Sequence, residues 1–89
     1  MLERDIETYF VDQVVARGGT ADKIKFIGRR GAPDRLVTLP GGETWRIELK
    51  RRLGRLSFHQ KEYAEKLPRG ALYARLWSIE DVDRWLRKL

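Results

Sequence analysis

The run Thr44-Trp45-Arg46-Ile47-Glu48-Leu49-Lys50 constrains this chain more than any other segment. Polar and apolar residues alternate through it without a break, and side chains alternate faces along an extended strand. Trp45, Ile47 and Leu49 therefore share one face, while Arg46, Glu48 and Lys50 share the other. The run follows Pro40-Gly41-Gly42, a turn signal, and the segment from Asp34 to Leu39 before that turn reads as another strand. Two strands about such a turn form a hairpin. Glu48 and Lys50 then sit side by side on a strand whose other face is apolar.

Further elements can be read on either side. Leu2, Ile6, Phe10 and Val14 recur every fourth residue, which predicts a helix from about Leu2 to Arg17, stopped by Gly18-Gly19. Ile24, Phe26 and Ile27 predict a short strand over Asp22 to Ile27, and Gly28 to Pro33 a basic loop rich in breakers. After a basic connection from Arg51 to Arg55, Ser57-Phe58-His59-Gln60 matches a capping box opening a helix that ends at about Leu67, before Pro68. Ala71 to Trp77 reads as a fourth strand. Ser78 caps a last helix with Glu80 and Asp81 in its first turn and an apolar stripe of Val82, Trp85, Leu86 and Leu89. Arg87 and Lys88 suit its C-terminal dipole. The order αβββαβα predicts an α/β fold, a mixed four-stranded sheet flanked by helices. The 89 residues hold one domain over 1–89 with one modest core, so a second copy of the chain is a plausible source of further burial.

Composition narrows the function. Nineteen Lys and Arg against thirteen acids leave a net charge of +6, which favours a polyanionic partner, above all nucleic acid. Charge also serves solubility, so it does not decide alone. The absence of cysteine excludes disulfides, thiolate metal sites and Cys nucleophiles. No secretory pattern and no membrane-spanning run is present, so a soluble, intracellular, cytoplasmic protein is expected, with no membrane partner.

Asp34 follows Pro33 and opens a strand that is otherwise apolar; Glu48 and Lys50 lie inside the next one. In the hairpin, Asp34 falls at the end far from the turn, as Glu48 and Lys50 do, so the three converge if the register puts Asp34 on their face. Two close carboxylates repel unless a cation sits between them. Mg²⁺ takes oxygen ligands, including one or two carboxylates, and keeps several waters. A lysine beside such an ion can orient or deprotonate a water, or stabilise charge developing on a phosphate. These are the parts of metal-assisted phosphodiester hydrolysis. The plainer account is a Lys50–Glu48 salt bridge on a solvated face, which leaves Pro33-Asp34 beside a basic glycine loop unexplained.

Pro33-Asp34 with Glu48-Leu49-Lys50 resembles the PD-(D/E)xK nuclease signature. With Gly28 to Arg35, the Gly41-Gly42 turn, Ile47 to Lys50 and Ser57 to Gln60, the chain resembles the VRR-NUC (virus-type replication-repair nuclease) domain from Glu3 to the last helix, a restriction-endonuclease-like core. The resemblance implies that Asp34, Glu48 and the Leu49 carbonyl bind Mg²⁺ or Mn²⁺, and that Lys50 acts on the water and the scissile phosphate. It also implies an acid from the first helix, Glu3 by its position in the family pattern with Glu7 as the alternative, and Gln60 at the site, and no small-molecule cofactor. Small stand-alone members resemble Holliday junction resolvases acting as homodimers. The implied function is thus structure-selective cleavage of DNA, a four-way junction first, in phage or bacterial DNA repair. A nicking or restriction-like nuclease is the nearest alternative, and a non-catalytic basic DNA-binding module the alternative of another class.

Several assignments stay open on the residues themselves. Glu3, Glu7, Phe10 and Val14 fall on one helical stripe, so either acid can point into a site, and either can simply favour the helix N-terminus. Gln60 is explained equally by the capping box. Ser57 reads as a cap and His59 as an ordinary helix residue. Arg29, Arg30 and Arg35, which flank the proposed site, and Arg51, Arg52 and Arg55, which follow it, are expected to contact phosphates rather than bases.

Overall fold

A computed structural model describes residues 3–24, 35–50 and 58–89, and of Glu3 the backbone only. The described elements follow the expected order: α1 (Glu3–Ala16), β1 (Thr20–Lys23), β2 (Arg35–Thr38), β3 (Thr44–Leu49), α2 (Phe58–Glu65), β4 (Tyr73–Leu76) and α3 (Ile79–Arg87). The strands form one sheet in the order β1-β2-β3-β4. β1 and β2 pair antiparallel, as do β2 and β3, whereas β3 and β4 run parallel.

The pleat sorts the side chains as the alternation in β3 requires. Val37, Ile47, Leu49 and Leu76 point to one face and meet Ile6, Phe10 and Val14 of α1 and Val82, Trp85 and Leu86 of α3. Burying such side chains contributes about 1.5–3 kcal/mol each. Trp85 is central to this core: its ring lies 5.4 Å from Phe10 and 5.6 Å, edge-on, from Trp45, tying both helices to β3. Tyr63 of α2 is buried outside that cluster. Leu89, expected on the apolar stripe of α3, is 44% exposed because the helix ends at Arg87. The Ser78 cap forms as expected: its Oγ accepts the Asp81 N–H at 3.1 Å, and the Asp81 carboxylate accepts the Trp77 N–H at 2.9 Å.

β1 begins earlier than its hydrophobic pattern suggests. The strand occupies Thr20–Lys23 instead of Asp22 to Ile27, of which residues 25–27 lie outside the described set. The cause is the end of α1. Gly18, at φ +84°, donates its N–H to Val15 O at 2.9 Å, and Gly19 donates to Val14 O at 3.0 Å. This paired closure of a helix end needs a left-handed residue, which glycine supplies without strain. The chain thereby turns directly into the ladder, with Thr20 opposite Thr38. An edge strand held by backbone pairing needs little apolar character, so its sequence signal is weak. A Cβ on Gly19 would lie 2.8 Å from Thr38 O.

Gly19→Ala should accordingly lower stability by about 1–3 kcal/mol, the usual cost of forcing an atom into filled space, read from the urea midpoint. Tyr9 offers a second test of the packing, since its hydroxyl donates to Asp83 Oδ1 and joins α1 to α3. That hydrogen bond, then desolvation and the carboxylate's charge, raise the Tyr9 pKa above 10.0. The folded state therefore favours the neutral phenol, and its stabilisation is complete below pH 10 and lost as pH rises through the raised value. Melting curves across that alkaline range should show a smaller loss of stability for Tyr9→Phe than for the unaltered chain.

Candidate active site

β3 is paired on both sides, and its apolar face is anchored by Ile47 and Leu49. The opposite face carries Glu48, which is 0% exposed and is the buried charged residue among those described. Burying a carboxylate costs several kcal/mol unless charges and hydrogen bonds compensate it, so such a group is rarely incidental. Lys50 follows on the same face. Its backbone N–H donates to Leu76 O at 2.9 Å, carrying the β3–β4 ladder one residue past the strand. Its Nζ stands 3.9 Å from Glu48 Oε1, with 18% of the side chain exposed. That distance is too long for a hydrogen bond, so the attraction is electrostatic and this oxygen does not consume an ammonium donor.

On the β4 side, Glu48 is paired in register with Arg75, and Arg46 with Tyr73. Side chains at paired positions share a face, so Arg75 and Tyr73 belong to the surroundings of Glu48. Sequence reasoning missed both. Only the parallel pairing brings them there, and nothing local to residues 73–75 announces it.

The other expected residues divide into three groups. Asp34, Arg29, Arg30, Arg51, Arg52, Arg55 and Ser57 lie outside the described residues, as does the side chain of Glu3. Gln60 lies half-buried on α2, and His59 packs edge-on against the Phe58 ring at 5.6 Å. Glu7 and Arg35 have found each other. Arg35 is opposite Ile47, on the core side of the sheet, and its Nη2 lies 3.4 Å from Glu7 Oε2. Its Nη1 donates to Ala21 O at 2.8 Å. The Arg35 side chain is 13% exposed. Arg35 thus joins α1, β1 and β2, and Glu7 is held by it on the face opposite Glu48. Of the two acids weighed on α1, Glu7 has this structural employment.

The described donors suit a hard divalent cation in kind: a buried carboxylate at Glu48 and, next to it, the Leu49 carbonyl, both oxygen ligands. Among the described residues no group of three His, Cys, Asp or Glu is assembled for a metal. Mg²⁺ needs only one or two carboxylates with water completing its shell, so Glu48 with one further acid would suffice. Among the described residues no helix is long and apolar enough to cross a membrane.

No family model matches the chain. A solved structure described as "VRR_NUC domain" aligns with a TM-score of 0.89, covering 96% of this chain and 94% of its own, at 33% sequence identity. The chain is also similar to "Putative nuclease p44" of Acyrthosiphon pisum secondary endosymbiont phage 1, with 48% identity over 48 residues. That match takes in 54% of this chain and 52% of the phage protein, about half the length of each.

The engagement of Arg35 can be tested against its expected DNA role. Arg35→Gln should lower stability by about 1.5–3 kcal/mol, the range for hydrogen bonds to charged groups, in a denaturant titration. The salt dependence of DNA binding by the folded variant should be unchanged.

Proposed function

The chain belongs to the VRR-NUC domain family, and on that premise we propose that it is a divalent-metal-dependent, structure-selective DNA endonuclease, a Holliday junction resolvase working as a homodimer. The observation that carries the reading is Glu48, a carboxylate with no exposure, followed by Lys50 on the same strand face with its ammonium 3.9 Å away. A strand ornamented for solubility would expose both groups.

Asp34, Glu48 and the Leu49 carbonyl are proposed to hold Mg²⁺ or Mn²⁺, with Glu3 as the acid from α1 and Gln60 beside them. Asp34 directly precedes Arg35 in the chain. Arg35 is the cross-strand partner of Ile47, the neighbour of Glu48, which supports the convergence of the two acids. When bound, the ion supplies Lewis-acid polarisation of the phosphoryl oxygens and makes water more acidic. Lys50 orients the attacking water and offsets negative charge as the phosphorus–oxygen bond to the leaving strand breaks. The partial burial of Lys50 strengthens that effect by lowering the local dielectric. Arg29, Arg30, Arg51, Arg52 and Arg55 are proposed as phosphate contacts, which read the path of the backbone rather than base identity. A two-fold dimer would set two such sites for symmetric cuts in a branched substrate.

The deciding experiment is cleavage of a labelled four-way DNA junction beside matched linear duplex, in Mg²⁺, Mn²⁺ or EDTA. The unaltered chain should cut the junction preferentially and only with metal, and Lys50→Ala should lose about 100-fold or more in rate while keeping DNA affinity. Equal cutting of both substrates would remove junction selectivity and leave a nicking or restriction-like nuclease. Binding without cleavage under every condition would favour a basic DNA-binding module.

A further inference from the structure

β4 is an outer strand of the sheet, and beyond it lies a cleft of about 300 Å³ between β4 and α3. Arg75, Arg84 and Lys88 line it, together with Trp77 and a single carboxylate, Asp81. Asp81 is already engaged, accepting the Trp77 N–H at 2.9 Å and pairing with Arg84 at 3.0 Å. The cleft therefore holds an excess of positive charge, and such a concavity concentrates anions.

Arg75 connects this cleft to the catalytic face. It is in register with Glu48 on the adjacent parallel strand, and neighbouring strands lie about 4.8 Å apart. Its guanidinium carbon lies 5.5 Å from the centroid of the Tyr73 ring, and its Nε donates to the Tyr73 hydroxyl at 3.2 Å. That stacking orients the exposed guanidinium while Nη1 and Nη2 stay available for a bidentate acceptor, the geometry in which arginine holds phosphate. Lys88 and Arg84 also suit the C-terminal dipole of α3, which accounts for their charge in part. No helix end accounts for Arg75.

We propose that a DNA strand passing Glu48 continues over the outer edge of β4 into the cleft between β4 and α3, its phosphates held by Arg75, Lys88 and Arg84. The proposal rests on the nuclease reading and adds the direction in which the substrate leaves the site. It makes the β4–α3 edge a phosphate track built of residues other than the arginines that flank the hairpin in sequence.

Arg75 and Lys88 are exposed, so replacing them should leave the fold intact, which thermal melting would verify. Binding of a fluorescein-labelled four-way junction in EDTA, titrated with salt, is the measurement. Arg75→Gln with Lys88→Gln should reduce the salt slope by about two units, near 0.9 for each phosphate no longer neutralised. A control pair elsewhere on the surface, Arg17→Gln with Lys66→Gln, should leave the slope nearly unchanged, and the charge-keeping pair Arg75→Lys with Lys88→Arg should restore it. A cleft variant whose slope falls no further than the control's would overturn the track. If the unaltered chain cuts DNA with metal while that result holds, the track alone falls; if it neither binds nor cuts, the nuclease reading falls with it.

Discussion

Glu48 places a carboxyl group at a position with no solvent exposure, and much of the structure can be understood as what keeps it there. A carboxylate so placed would normally drive its strand toward water. It is held because β3 is hydrogen-bonded on both sides and because Ile47 and Leu49 are locked against α1 and α3 on the other face. The Phe10–Trp85–Trp45 contacts reinforce the same anchorage. Apolar burial on one side of a strand thus stabilises a charge on its other side. In return, the low dielectric would strengthen the attraction of an ionised carboxylate there for a cation placed beside it.

The edges of the sheet do different work. At the β1 side, the glycine closure of α1 delivers the chain straight into the ladder, and Arg35 bonds both Glu7 and the Ala21 carbonyl. A basic residue beside the hairpin has become a fastener for α1. At the β4 side the sheet ends in Tyr73 and Arg75, beside a cleft edged by the last turn of α3. Among the described residues, Arg35 is committed to structure on the β1 side, whereas Arg75 is exposed on the β4 side. A chain with net charge +6 can therefore contain arginines of unlike purpose, and their count alone does not separate them.

Much of this was legible in residue order, where the governing interactions are local. Period-two alternation placed Glu48 and Lys50 on one face of β3, and period-four spacing placed Ile6, Phe10 and Val14 in the core. The Ser78 cap, the glycine stop after α1 and the Pro40-Gly41-Gly42 turn are contacts over a few residues, and each was readable. The strand Thr20–Lys23 was misplaced because an edge strand carries little apolar signal. Leu89 falls outside the stripe because helical spacing does not reveal where the last turn ends.

Residue order by itself determined the two-faced strand, the order of helices and strands, the pairing of Glu48 with Lys50 and the resemblance to a nuclease family. These follow from backbone periodicity and short-range hydrogen bonding, which act between neighbours in the chain. Tertiary structure alone decided that Glu48 is fully buried, that Glu7 and Arg35 are partners, and that Arg75 stands beside Glu48. Those outcomes depend on which strands become neighbours and in what register. Register is set by the packing of the whole core, and no stretch of sequence contains it.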